Sequence, residues 1–113
     1  MTQILRSVAA VGIRGDALPA YLELHRQQPD AVREAMLRAH ILTYRMYLLR
    51  SQNLVISVSE RDAATVVEDK RQMDNDPIMQ AWLKTCRAMQ IALPGENNQP
   101  PSLWSPLPEV YSL

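Results

Sequence analysis

Tyr21, His25 and Tyr44 are the residues of this chain best suited to moving protons. All lie in one stretch, YLELHRQQPDAVREAMLRAHILTYRMY, running from Tyr21 to Tyr47. Tyr21 and His25 are four apart on an expected helix, so phenol and imidazole stack one turn from each other. Histidine is the side chain whose ordinary pKa lies nearest neutrality, which makes His25 the natural acid/base group. Tyr44 falls in a leucine- and aromatic-rich run that reads as a strand. A helix face with Tyr and His, packed on a strand with Tyr, can set three proton-handling groups around one cavity. The same spacing also suits ordinary half-buried residues with satisfied polar tips. Trp82 stands at helical spacing from Met79 and Cys86, a pattern common in cores, but its π-face suits stacking on a sugar ring.

The elements that must position these groups can be read in order. Ile4 to Ile13 alternates weakly and reads as a first strand, with a turn at Gly12 and Gly15. Asp16 is the expected cap of a helix with Pro19 in its first turn and Leu18, Tyr21, Leu22 and His25 on one face. Pro29 ends or kinks that helix, and Asp30 is the expected cap of a second segment with Val32, Ala35, Met36 and Ala39 as its apolar stripe. Ile41 to Leu49 reads as a second strand, with Leu42, Tyr44, Met46 and Leu48 on one face and Thr43, Arg45 and Tyr47 on the other. After a turn at Ser51, Gln52 and Asn53, Leu54 to Ser59 reads as a third strand, and so short a link implies an antiparallel hairpin. Arg61 to about Met73 is expected to be helical, with Ala63, Val66 and Val67 inward. Asp76 and Pro77 mark the start of a helix reaching about Met89. LPGENNQPPS is a loop by composition, and LPEVYSL is expected to form a short last strand with Pro108 at an edge or a strand start.

The pattern is ferredoxin-like α+β: an antiparallel sheet with helices on one face. Strand positions are apolar on both sides, so a second copy is expected to cover the other face, giving a dimeric α/β-barrel. With 113 residues, 47% apolar and 21% charged, the chain suits one globular domain spanning 1–113. Twelve basic and twelve acidic residues balance, so no electrostatic footprint points to nucleic acid or an anionic membrane. The lone Cys86 rules out an internal disulfide framework and fits a reducing compartment. MTQILRSVAAVGI lacks the form of a signal peptide, and nothing approaches a membrane span, so a cytoplasmic location is expected. His25, His40 and Cys86 stand at no metal-ligand spacing, and His40 and Cys86 read as structural. The three scattered glycines form neither a dinucleotide fingerprint nor a P-loop. No Gly-x-Ser-x-Gly supports nucleophilic catalysis.

Tyr21-x-x-x-His25, Tyr44-x-x-Tyr47-Leu48 and Asn53-Leu54 together resemble the L-rhamnose mutarotase family. Gln80-Ala81-Trp82 resembles the family's tryptophan motif, and Glu109-Val110-Tyr111 is similar to its terminal Glu-Val-Phe. The resemblance implies a dimeric isomerase that interconverts the α and β anomers of L-rhamnose, or a related aldose, without a cofactor. It puts His25, Tyr21 and Tyr44 in the catalytic positions, with Trp82 and Tyr47 as sugar contacts. The chain also departs from the family. Gln28-Pro29-Asp30 stands where the family carries Ile-Trp-Pro-Glu, Leu83 where it has a second tryptophan, and Ala9 and Ala10 near its usual first-strand phenylalanine. The walls have changed more than the acid/base group. Two further functions fit the same scaffold: a non-catalytic dimeric sugar-binding module, and another cofactor-free enzyme such as a small oxygenase.

Overall fold

The computed structural model describes residues 3–113. Its frame is a curled antiparallel sheet built on β1 (Ile4–Ile13), a ten-residue strand. β1 pairs with β3 (Leu54–Asp62) from Ile4 opposite Asp62 to Gly12 opposite Leu54. β2 (Ile41–Leu49) lies on the far side of β3, and the two-residue β4 (Gln90–Ile91) pairs with Gly12 and Ile13. The order is β2-β3-β1-β4, with β5 (Ser105–Pro106) beside Ala9 and Ala10 on β1. Among the described residues four α-helices complete the fold: α1 (Leu18–Arg26), α2 (Asp30–Arg38), α3 (Val66–Asp74) and α4 (Pro77–Arg87). This is the ferredoxin-like pattern expected of the sequence.

Strand alternation assigns each face. Val11, Val55 and Leu48 stand side by side in the register and meet Leu18 and Tyr21 of α1 and Cys86 of α4 in one core. Val11, Ile13 and Val55 are sealed from solvent, and each such burial is worth about 1.5–3 kcal/mol. A second cluster, Val32 and Ala35 of α2 with Met79 of α4, stacks the helix layer. The helix breaks fall as read: Pro29 separates α1 from α2, and the Asp76 side chain accepts from the Ile78 and Met79 amides with Pro77 at the first turn of α4.

Several boundaries differ from the sequence reading. Asp16 makes no capping bond; Gly15–Ala17 instead form a 3-10 turn leading into α1. Asp30 is the first residue of α2 and not its cap. The expected helix from Arg61 starts only at Val66, because β3 runs on to Asp62 to match the full length of β1, with Arg6 and Glu60 ion-paired at 2.6 Å across the strands. Val67, expected inward, is 82% exposed, and Asp69 takes the buried position. α4 ends at Arg87, before Met89. The last strand is not LPEVYSL: pairing falls on Gln90–Ile91 and Ser105–Pro106, where a 2.7 Å bond from Asn98 Nδ2 to Ser105 Oγ anchors the loop.

Asp69 explains how α3 is held. Its carboxylate accepts from Thr65 Oγ1 at 2.6 Å, and His40 Nδ1 lies 3.0 and 3.1 Å from its two oxygens. His40 itself sits just past α2 with a left-handed φ of 56°. The Thr65 hydroxyl first, then His40, holds the Asp69 carboxyl below its usual pKa. A depressed carboxyl contributes stability above its ordinary range and loses it as pH falls through the lowered value. Asp69→Asn should therefore lower the melting temperature by a few degrees near neutral pH. Thermal scans of both proteins at successively lower pH should show that gap closing; a gap constant down to strong acid would contradict this role.

Candidate active site

Between the helix layer and the β2–β3 end of the sheet lies a cleft of about 560 Å³, within the usual range of small-molecule sites. Tyr21, His25, Tyr44 and Trp82 all line it. α1 supplies the first two from consecutive turns of one face, their ring centroids 4.6 Å apart. α4, fixed by the Asp76 cap, brings Trp82 to the His25 ring at 5.2 Å in a near-perpendicular contact. β2 presents Tyr44 on the inner face, opposite Ser59 of β3. Just before it the ladder shifts register between Ile41 and Thr43, a bulge that turns the start of β2 toward the cleft.

The hydrogen bonds show which atoms carry protons. His25 Nδ1 is 2.8 Å from the Tyr21 backbone carbonyl oxygen, which has no proton to give, so Nδ1 carries the proton and donates. Nε2 is then the lone-pair nitrogen, free to accept a proton. Tyr21 is 1% exposed, and its hydroxyl accepts from Gln90 Nε2 at 3.1 Å, leaving its own proton to donate. Burial pushes the Tyr21 phenol far above its ordinary pKa, with the Gln90 bond offsetting only part. Desolvation in the cleft raises Tyr44 too, although 44% of its surface stays exposed, and Ser57 offsets part of that rise. Both shifts favour the protonated phenols, which can donate hydrogen bonds into the cleft. Burial pushes the Cys86 thiol up to about 11, which keeps it uncharged at the cleft floor.

The family model for L-rhamnose mutarotase matches residues 6–113. The chain belongs to the L-rhamnose mutarotase family. It is an isomerase that exchanges the anomers of L-rhamnose or a related aldose. The structure of an L-rhamnose mutarotase from Formosa agariphila is similar with a TM-score of 0.73 at 16% identity, over 96% of this chain and 98% of that one. A NIPSNAP family protein from Agrobacterium tumefaciens follows with a TM-score of 0.63 at 17% identity, over 99% of this chain and 91% of that one. A protein described as an antibiotic biosynthesis monooxygenase from Nitrosomonas europaea reaches a TM-score of 0.60 at 8% identity, over 98% and 94%. At these identities the three likenesses show the fold alone. No curated protein matches this mutarotase in sequence.

Of the candidate site residues singled out in the sequence, Tyr47 is the one not brought to this cleft. It lies three residues from Tyr44, an odd step along a strand, and so points to the other sheet face beside Ile56, 55% exposed. Gln90, Trp104 and Arg61 line the cleft without having been singled out. Trp104 offered one signal, an indole inside a proline-rich loop. Gln90 and Arg61 offered none, because each becomes a wall residue only through strand pairing.

Proposed function

We propose that His25 is the acid/base of anomer exchange, with Tyr21 and Tyr44 as hydrogen-bond donors and Trp82 as the stacking wall for the sugar. The observation carrying this is the His25 Nδ1 contact with the Tyr21 carbonyl, which leaves Nε2 as the accepting nitrogen. His25 Nε2 takes the proton of the anomeric hydroxyl, the C1–O1 bond becomes a carbonyl and the C1–O5 bond breaks. The phenols donate to the developing alkoxide at O5, and the imidazolium returns the proton to it. O1 and O5 are both bonded to C1, so one nitrogen can serve each in turn. Rotation about C1–C2 and reclosure give the other anomer. General acid/base help of this kind is worth about 10²–10⁴-fold.

The chain works in this reading as one mutarotase domain in a homodimer, in the cytoplasm as part of rhamnose or related sugar metabolism. The outer sheet face supports the dimer. Val8, Ile56 and Val58 adjoin Tyr47 and Leu49, which are 55% and 49% exposed. Such contiguous apolar faces are uncommon on monomers. Among the described residues no helix is long and apolar enough to cross a membrane. The test is saturation-transfer NMR of anomeric exchange with L-rhamnose and related aldoses, run on material whose mass is measured by sedimentation. Accelerated exchange by a dimer is expected. Perturbed sugar signals without faster exchange would mean a binding module, and a monomer at micromolar concentration would overturn the dimer.

A further inference from the structure

Among the described residues two arginines line the cleft, and no aspartate or glutamate does. Arg61 stands on the inner face of β3, two residues beyond Ser59, which is paired with Tyr44. Among the described residues its Nε is buried without a hydrogen-bond partner, and its Nη2 reaches only the Met73 sulfur at 3.5 Å. The nearest acidic group that acts on it, Asp69, is taken up by Thr65 and His40 and forms no ion pair with Arg61. Arg33, at the exposed rim on α2, makes no ion pair among the described residues. A part-buried guanidinium with an unmade bond is costly, and native proteins keep such groups where something else satisfies them. A neutral 6-deoxy sugar offers Arg61 only hydroxyls. A carboxylate or phosphate offers the bidentate, charge-assisted partner that a guanidinium fits best.

We propose that the sugar turned over in this cleft carries an anionic substituent, a carboxylate or a phosphate, received by Arg61 with Arg33 at the entrance. Position supports this. Two residues along a strand span about 7 Å, so Arg61 lies roughly that far from the level of Tyr44. That is comparable with the reach from an anomeric carbon beside His25 and Tyr44 to a substituent across the ring. The inference rests on the mutarotase reading and refines its substrate class.

The test is NMR anomer exchange with three sets of sugars. L-rhamnose, L-fucose and D-fucose are the neutral set; D-galacturonate, D-mannuronate and L-guluronate carry a carboxylate; D-mannose 6-phosphate and D-galactose 6-phosphate carry a phosphate. A member of one anionic set should exceed every neutral sugar in kcat/KM by about tenfold or more, and which set it belongs to names the anion. Arg61→Met should lower the anionic-to-neutral ratio of kcat/KM by about 30-fold, with Arg61→Lys keeping part of it. Should Arg61→Met fail to fold, the wild type still reports: added sodium chloride should raise KM for the anionic sugar and not for a neutral one. Exchange fastest with a neutral sugar, with KM insensitive to salt, would overturn the inference and leave the mutarotase reading standing. No exchange with any sugar would bring down both.

Discussion

Replacing His25 with asparagine is expected to lower catalysed anomer exchange by about 10²-fold or more while fold and assembly persist. Asparagine can still offer a side-chain donor near the Tyr21 carbonyl, so the local bond of the helix has a substitute. What it lacks is a nitrogen that accepts a proton and gives it back. The neighbouring groups are poor substitutes, because the Tyr21 and Tyr44 phenols are shifted still higher than an ordinary phenol and the Cys86 thiol is pushed up to about 11. Tyr21→Phe and Tyr44→Phe should lose less, since water can replace a phenolic donor more readily than a titrating base. Tyr21→Phe also leaves the Gln90 amide without its 3.1 Å acceptor, so of the two it should cost more stability. Saturation-transfer rates per folded molecule, with melting curves alongside, separate these effects. Nitrogen-15 spectra of His25 should show Nδ1 protonated and Nε2 bare in the neutral ring. Wild-type exchange in His25→Asn would show the proposed mechanism to be wrong, whatever the family.

The parts of this site that depend on local periodicity were legible in the sequence. Tyr21 and His25 share a helix face because they are four apart, and Asp76-Pro77 starts α4 because an aspartate acceptor and a ring without an N–H suit a helix N-terminus. Period-two alternation also separates Tyr44 from Tyr47, so the strand pattern correctly set Tyr47 apart where the family motif grouped the two. What depends on pairing between distant strands could not be read. Arg61 has the local character of a helix start, yet the length of β1 draws β3 on to Asp62 and turns Arg61 into the cleft. Propensity over so few residues is a weak preference that a full ladder overrides. The loop strands follow the same logic. Ser105 pairs where the Asn98 bond and the free edge of β1 allow it, and no alternation in LPEVYSL could reveal that.

Truncation of Trp82 should show the second largest effect, on stability and turnover together. The sequence left two roles open for this indole, core filler or sugar platform, and the fold gives it both settings. It is half-buried and packs against both hydrophobic clusters, the one around Tyr21 and Val55 and the one around Val32 and Met79. It also lines the cleft and meets His25 at 5.2 Å. Trp→Ala in a core costs about 3–5 kcal/mol, and partial exposure puts Trp82→Ala near the lower end, about 3 kcal/mol. For a domain of this size that is roughly 10–15 °C of melting temperature. Measured well below the new melting point, each folded molecule should still show a raised KM, because the sugar has lost its apolar wall and His25 a ring that fixes its rotamer. Trp82→Phe keeps an aromatic face and should recover most of the stability and part of the KM. Normal kcat/KM per folded molecule in Trp82→Ala would reduce Trp82 to a packing residue and remove the stacking wall from the mechanism. A raised KM in Trp82→Ala that Trp82→Phe partly restores would place the sugar ring against the indole.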